Sequence, residues 1–221
     1  MDTSLAARTF MVSTGQWATR STGPPSLDPS GLFGQWSGLC YLGKKGKRLA
    51  ILTAYQSPRQ QPTGGFGFYD QQYSLLLTKG VPKPNVRRQF ITGLVQFVNK
   101  LQSADGHEVK VCLDANKVIW QDTSFGLAYL LAECTLSDLH LLGSSEPPAT
   151  YKYGTARRIH YMLGTSPPLL KQFVILFTNY GVFFRHCGLF IDLDFTQIMG
   201  SVDSFTPAPA RGIRLEDHSS C

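Results

Sequence analysis

The sequence has few charged residues, and this scarcity already narrows the class of protein. Asp, Glu, Lys and Arg make up 16% of the 221 residues, against about 25% in an average globular chain, whereas hydrophobic residues make up 43%. This composition excludes an intrinsically disordered chain, a coiled coil and a collagen-like fibre. The length suits one domain with tails, large enough to bury a core without disulfide support.

Closely spaced cysteines and long hydrophobic runs are also absent. Without a C-x-x-C pair, the sequence offers no basis for a ribbon or treble-clef zinc site. The odd number and wide spacing of the cysteines predict reduced thiols in an intracellular protein, cytoplasmic or nuclear. The most apolar stretch, 173–195, is interrupted by polar and charged residues, so we predict no membrane span. The cysteines are Cys40, Cys112, Cys134, Cys187 and Cys221.

Common catalytic signatures are missing as well. The glycines of 64–67 (G-G-F-G) lack the third glycine of a dinucleotide-binding loop. Residues 43–46 (G-K-K-G) are not followed by the Lys-Ser or Lys-Thr pair of a phosphate loop. No G-x-S-x-G nucleophile elbow is present. These absences argue against the enzyme classes that are easiest to recognise.

Hydrophobic periodicity predicts an α+β architecture. The apolar run 48–55 (R-L-A-I-L-T-A-Y) is typical of a strand covered on both faces. In 86–101 the apolar residues recur at spacings of three and four, which predicts an amphipathic helix. Helices in the middle with strands toward both ends indicate a layered sandwich. Further strands are predicted at 8–12, 34–42, 108–113, 150–153, 157–163, 172–178 and 187–194, and further helices at 68–78 and 125–134.

The most informative segment is Asp114-Ala115-Asn116, which follows a buried strand. A carboxylate and an amide placed two residues apart at a strand end can orient a water molecule and donate to a phosphate oxygen. The same pattern is also typical of an Asx turn that simply ends a strand. From spacing alone both interpretations remain open.

The order of several short motifs resembles the endonuclease/exonuclease/phosphatase superfamily, the metal-dependent phosphodiesterases related to deoxyribonuclease I, and in particular its retroelement branch. That branch carries the patterns S-A-Y-R, Q-Q, D-A-N, P-P-T-Y, R-R-I-D-Y-I-L-G-T and S-D-H-R-G-L-F-V-D-L-D in this order. The corresponding segments here are 53–56, 71–72, 114–116, 148–151, 157–165 and 184–194. The resemblance implies a four-layer α/β sandwich with a magnesium-dependent endonuclease site.

The resemblance also implies roles for individual residues. Asp114 would position or deprotonate the attacking water, and Asn116 would hold the scissile phosphate. Tyr55 would contact that phosphate from the end of its strand. His186 would donate to the phosphorane oxygens. Magnesium is the cofactor that this chemistry implies.

The departures from the family pattern are as informative as the matches. The aspartate of R-I-D-Y is His160 here, and the metal-binding aspartate of S-D-H is Arg185. The family's leading asparagine and metal-ligating glutamate have no counterpart, so the chain is expected to lack the first strands. A hard divalent cation needs oxygen ligands that include carboxylates. We therefore predict no metal ligands and a catalytic activity that is lost or vestigial.

A net charge of +6 favours a polyanionic partner, because basic side chains attract phosphates and release their counterions. We expect a nucleic acid, DNA rather than RNA, to contact a groove of basic residues. The lysine run 44–47 is equally consistent with a solvated hairpin tip. The residues assigned to the groove are Lys44, Lys45, Lys47, Arg48, Arg157 and Arg158, with Arg87, Arg88 and Arg185 as further candidates.

We therefore predict a domain of the endonuclease/exonuclease/phosphatase type over residues 1–199, incomplete at its N-terminus, followed by a polar tail over 200–221. The predicted function is that of a degenerate phosphodiesterase acting on nucleic acid. Two alternatives stay open at this point. One is a non-catalytic remnant that binds polyanions, and the other is an incomplete gene model of an active nuclease.

Overall fold

A computed structural model describes residues 11–23, 35–58, 67–116, 126–140, 149–151, 156–165, 170–176 and 187–200. Helices lie mainly in the middle of the chain, as the periodicity predicts. The longest is α3, which begins after the N-cap residue Asn85, whose side chain accepts a hydrogen bond from the backbone N–H of Arg88 at 3.0 Å. The helices are α1 (Gly15–Ala18), α2 (Phe68–Thr78), α3 (Val86–Ser103), α4 (Leu127–Glu133) and α5 (Phe195–Met199).

In the part of the chain that the structure describes, eight strands form two sheets. The large sheet has the order β1-β2-β3-β4-β6-β5, and β7 pairs with β8 in the second sheet. Only the β3–β4 pair is parallel; the other pairs in these sheets are antiparallel. The strands are β1 (Ser21–Gly23), β2 (Trp36–Leu42), β3 (Arg48–Tyr55), β4 (His107–Asp114), β5 (Ser137–Asp138), β6 (His160–Gly164), β7 (Leu170–Leu176) and β8 (Gly188–Leu193).

The large sheet is covered on both faces, which explains the nearly continuous apolar sequence of β3. On one face, alternate residues such as Leu52 and Val111 pack against α3 around the buried Phe90. On the other face, Leu49 packs with Leu193 of β8 and with residues of α5. Because side chains alternate along a strand, one apolar run supplies both cores. The architecture is the predicted α+β sandwich.

The sequence analysis and the structure agree on the long elements and differ on the short ones. Strand 157–163 begins only at His160, since Arg157 forms a single bridge with Tyr151. The predicted strand 150–153 therefore reduces to that bridge within the described residues. Elements of two to five residues (α1, β1, β5 and α5) carry too little periodicity to be detected. Most of the predicted strand 8–12, and the tail beyond Gly200, lie outside the described residues.

No helix in the described part of the chain combines the length and the hydrophobicity that crossing a membrane requires.

Candidate functional site

The ends of three neighbouring strands bring three predicted site residues into one row. In the parallel pair of β3 and β4, Tyr55 lies opposite Asp114, and in the antiparallel pair of β4 and β6, Asp114 lies opposite His160. Side chains of directly paired residues share a face of the sheet. This face is the one turned away from α3, since the alternating residues Ala54 and Leu113 belong to the helix-side core. The sheet register thus assembles the predicted site.

Asp114 and His160 form the closest pair of titratable side chains in this row. The distance between His160 Nε2 and Asp114 Oδ2 is 3.7 Å, which is too long for a hydrogen bond and close enough for an ion pair when the imidazole is protonated. Both side chains are partly accessible, at 14% for His160 and 23% for Asp114. The position that the family pattern gives to an aspartate is therefore occupied by a side chain that carries either no charge or a positive one.

Asn116 forms the Asx turn, one of the two interpretations that its spacing from Asp114 left open; its contact with a phosphate stays a prediction. Its backbone N–H donates to Asp114 Oδ1 at 3.1 Å, which is an Asx turn, and its φ of +47° lies in the left-handed region that asparagine tolerates. Its side-chain amide donates to the backbone carbonyl of Gln56 at 2.8 Å. The turn fixes Asn116 next to the ends of β3 and β4, so the structural role and the placement at the site coexist.

Arg87, at the start of α3, connects the loops that follow β3 and β4. Its guanidinium donates to the carbonyl of Ser57 at 3.2 Å, to the carbonyl of Ala115 at 3.0 Å and to the side-chain oxygen of Gln56. The sequence analysis placed this arginine in a phosphate-binding groove. In the structure its donors hold the loop that follows Tyr55 and the loop that contains Asn116. Every residue has a backbone carbonyl, so no sequence pattern predicts which carbonyls accept hydrogen bonds from Arg87.

A cavity of about 440 Å³ opens in front of the row. Its floor is formed by residues of β3, β4 and β6 on the face of the sheet that is turned away from α3. The facing wall includes Cys187 and Leu189 near the start of β8. His186 and Arg185 lie outside the described residues, and Cys187 is the next residue in the chain. The floor residues are Thr53, Tyr55, Cys112, Asp114, His160 and Met162.

The lysine run lies at the opposite end of the sheet from this cavity. Arg48 begins β3 and Tyr55 ends it, so the two are about 23 Å apart at about 3.3 Å per residue. Lys47 Nζ donates to the carbonyl of Gln197 at 2.6 Å, and Arg48 donates to the carbonyl of Asp105 at 3.2 Å. The structure therefore does not bring Lys44, Lys45, Lys47 and Arg48 together with the row.

Two adjacent arginines have opposite environments. Arg157 is exposed, and its guanidinium carbon lies 5.8 Å from the ring centroid of Tyr151. Arg158 is buried, with 8% of its side chain accessible, and it donates to Asp138 Oδ1 at 2.7 Å. It also lies over the ring of Tyr161, 4.6 Å from the centroid. The assignment of Arg158 to a nucleic-acid groove is therefore corrected, because a buried and paired guanidinium offers no surface to a phosphate.

His140 belongs to the same buried cluster as Arg158 and Asp138. Burial lowers the pKa of its imidazole, the positive charge of Arg158 lowers it further, and Asp138 acts in the opposite direction. Because the pKa is lower in the folded chain, the unfolded chain binds the proton more readily. The contribution of neutral His140 to the free energy of unfolding is therefore fully present above the ordinary pKa of 6.5. It decreases as the pH falls below 6.5 toward the pKa of the folded chain.

We expect the free energy of unfolding to fall below pH 6.5, with His140 contributing a slope of at most about 1.4 kcal/mol per pH unit. Urea unfolding at pH 7.5 and 5.5 measures this change in the wild type and in His140→Gln. The variant should lose less stability between the two pH values than the wild type. Equal losses in both proteins would show that another group is responsible.

The donors at the site do not suit magnesium, the cofactor that the resemblance implies. A hard cation takes oxygen ligands. The row of Tyr55, Asp114 and His160 contains one carboxylate, that of Asp114, beside the imidazole of His160. Asp194 cannot contribute, since it caps α5 and accepts from Thr196 and Gln197; these bonds lower its pKa to about 2. Among the described residues, no three His, Cys, Asp or Glu side chains converge as metal ligands do.

Comparison with solved structures agrees with the architecture that the strand order and the helices show. A 3' phosphatase, NExo, from Neisseria, bound to a product DNA hairpin, aligns with 79% of this chain and 71% of its own at 11% identity and a TM-score of 0.52. The chain has the endonuclease/exonuclease/phosphatase fold. No model of a protein family matches the sequence, and comparison with curated proteins finds no match.

Other proteins with the endonuclease/exonuclease/phosphatase fold align less closely. The 3'-5' exonuclease NExo from Neisseria meningitidis aligns with 78% of this chain and 69% of its own, at 13% identity and a TM-score of 0.49. The endonuclease domain of TRAS1, a telomere-specific non-LTR retrotransposon, aligns with 74% of this chain and 63% of its own, at 15% identity and a TM-score of 0.40.

Proposed function

We propose that this chain is a nucleic-acid-binding domain derived from a metal-dependent phosphodiesterase that has lost its hydrolytic activity. The observation that carries the proposal is the row Tyr55–Asp114–His160, in which an imidazole occupies the position of a family carboxylate. The resemblance assigns phosphodiester contacts to Tyr55 and Asn116, whereas the row contains one carboxylate, so the charge needed to hold a hard cation is reduced.

Binding of a phosphate group is supported by the remaining side chains at the row. Tyr55 lines the cavity, and Asn116 lies at the neighbouring strand end. Arg157 is exposed three residues before His160 and adds a positive charge at this end of the sheet. Aromatic stacking combined with cationic contacts to the backbone is a common mode of binding single strands.

Loss of hydrolysis follows from electrostatics. In the family chemistry a divalent cation stabilises the charge that develops on the transferred phosphoryl oxygens. An imidazole opposite Asp114 reduces the negative potential that would attract such a cation. The resemblance further gives the position of a metal-binding aspartate to Arg185. Removing a single stabilising donor typically slows a reaction by a factor of about 100 to 1,000. The replacement of two carboxylates is therefore expected to leave little activity.

A residual nuclease is the second candidate, and the coexistence of Asp114 with Asn116 and Tyr55 favours it. This alternative predicts cleavage that depends on Asp114, whereas the first proposal predicts binding alone.

Nucleic-acid binding should decrease steeply with salt. The logarithm of the association constant falls by about 0.7–0.9 per phosphate contact for each unit of log salt. Fluorescence anisotropy with a DNA duplex, a DNA single strand and an RNA hairpin measures this slope and tests the preference for DNA. Arg157→Ala, at the cavity end, should weaken binding more than the control Arg48→Ala at the opposite end. A flat salt response would remove the proposal of a nucleic-acid partner.

A further inference from the structure

Two sulfur atoms meet on the floor of the cavity. Cys112 of β4 and Met162 of β6 are directly opposite each other in the antiparallel pair, and the distance from Cys112 Sγ to Met162 Sδ is 3.2 Å. Both side chains line the cavity, and the thiol is half-buried. A thiol and a thioether are therefore within reach of one ligand that enters from the cavity.

An imidazole lies beside the two sulfurs on the same face of the sheet. His160 is two residues before Met162 in β6, so their side chains point to the same side, about 7 Å apart at the backbone. His160 is also the diagonal neighbour of Cys112 across the two strands, at about 7–8 Å. An imidazole spans much of that distance. A second thiol, Cys187, forms part of the opposite wall. The cavity is thus lined by three sulfur-containing side chains and an imidazole, and by one carboxylate, that of Asp114.

We propose that the cavity binds one Cu(I) ion, held by the thiolate of Cys112, the thioether of Met162 and the imidazole of His160. Thiolate and thioether ligands select Cu(I), and imidazole is a common copper ligand. A thioether is a poor ligand for magnesium or calcium, which prefer oxygen, and it adds little to a zinc site, which is built from Cys, His and carboxylates. The donor set therefore selects the ion.

The two sulfurs need to move little to bind one ion. At about 2.3 Å from the ion, they are about 3.8–4.0 Å apart at angles between tetrahedral and trigonal, so the pair must open by about 0.6–0.8 Å from its present 3.2 Å. His160 must turn from Asp114 toward the sulfurs. The reaction forms bonds from the ion to two sulfurs and one nitrogen, breaks the S–H bond of Cys112 and releases its proton to solvent. Copper stays in the Cu(I) state throughout.

The proton on Cys112 restricts which ions can bind. In the structure the thiol of Cys112 donates to the thioether of Met162, so an ion must have a high affinity for thiolate to displace this proton. Without such an ion, the short sulfur–sulfur distance is a weak hydrogen bond from the thiol to the thioether. That alternative is one outcome of the test.

The test is an anaerobic competition titration of the reduced full chain against a chromophoric Cu(I) chelator. We expect one high-affinity equivalent in the wild type. Cys112→Ala should weaken it by more than about 100-fold, since even the loss of an outer-shell partner costs about 10–100-fold in metal affinity. Met162→Leu, similar in volume, should weaken it by about 10-fold, and the control Cys40→Ala, at the other end of the sheet, should leave it unchanged.

X-ray absorption at the copper edge provides a readout that does not depend on the stability of any variant. Two sulfurs and one nitrogen around the ion are expected in the wild type. Wild-type Cu(I) affinity in Cys112→Ala, or a first shell without sulfur, would overturn the proposal. The outcome is independent of nucleic-acid binding: a chain that binds Cu(I) and no nucleic acid would overturn only the function proposed above.

Discussion

Replacement of Arg158 with Met is expected to lower the free energy of unfolding by about 3–5 kcal/mol. The guanidinium is bonded to Asp138 at 2.7 Å, and the accessible fractions of the two side chains are 8% and 3%. Removing one partner leaves the other charge buried without compensation, and this is the costly way to break a buried ion pair. Loss of the contact with the ring of Tyr161 adds to the effect. Urea unfolding at pH 7.5 measures the change.

The adjacent Arg157→Met is the matched control. Because Arg157 is exposed, its replacement should change the free energy of unfolding by no more than about 0.5 kcal/mol. The double variant Arg158→Met with Asp138→Leu removes both charges and should recover part of the lost stability. Equal effects of Arg157→Met and Arg158→Met would contradict the buried position of Arg158.

Arg87→Met should destabilise the protein by about 1.5–3 kcal/mol and weaken nucleic-acid binding as well. This arginine donates to the carbonyls of Ser57 and Ala115 and to the side chain of Gln56, and hydrogen bonds from a charged group contribute about 1.5–3 kcal/mol. Without it, the loops after β3 and β4 lose their common anchor. Arg87→Lys should not restore the wild-type values, because an ammonium cannot reproduce the planar geometry of the guanidinium.

Unfolding and anisotropy measurements on Arg87→Met and Arg88→Met separate this role from a simple charge effect. Arg88 is the next residue on α3 and is exposed, so its replacement removes the same charge from the surface. We expect a small change in stability and a small change in affinity for Arg88→Met. If both variants lose affinity equally without losing stability, Arg87 contributes charge alone.

The family resemblance assigned Tyr55, Asp114 and His160 to one site, and the register of the strands places these three residues side by side. The long apolar runs of β3 and β4 define where these strands end, and residues at neighbouring strand ends must lie close together. The same reasoning predicts that the lysine run lies far from this row. Arg48 begins the strand that Tyr55 ends, so the two cannot line one groove.

The environments of the arginines could not be predicted from the sequence. Arg157 and Arg158 are identical in type and adjacent, and only the partner of Arg158 decides which one is buried. That partner, Asp138, lies in β5, a strand of two residues that has no periodicity. Arg87 has mainly backbone acceptors, which every sequence contains. Contacts of this kind become visible only when the chain is folded.

The central claim is that this site engages nucleic acid without cleaving it. A plasmid-nicking assay with Mg²⁺ or Mn²⁺ at high protein concentration tests it most directly, with Asp114→Ala as the reference for contaminating nucleases. The account predicts the same negligible conversion of supercoiled to nicked plasmid in both proteins. Metal-dependent nicking by the wild type that disappears in Asp114→Ala would contradict it.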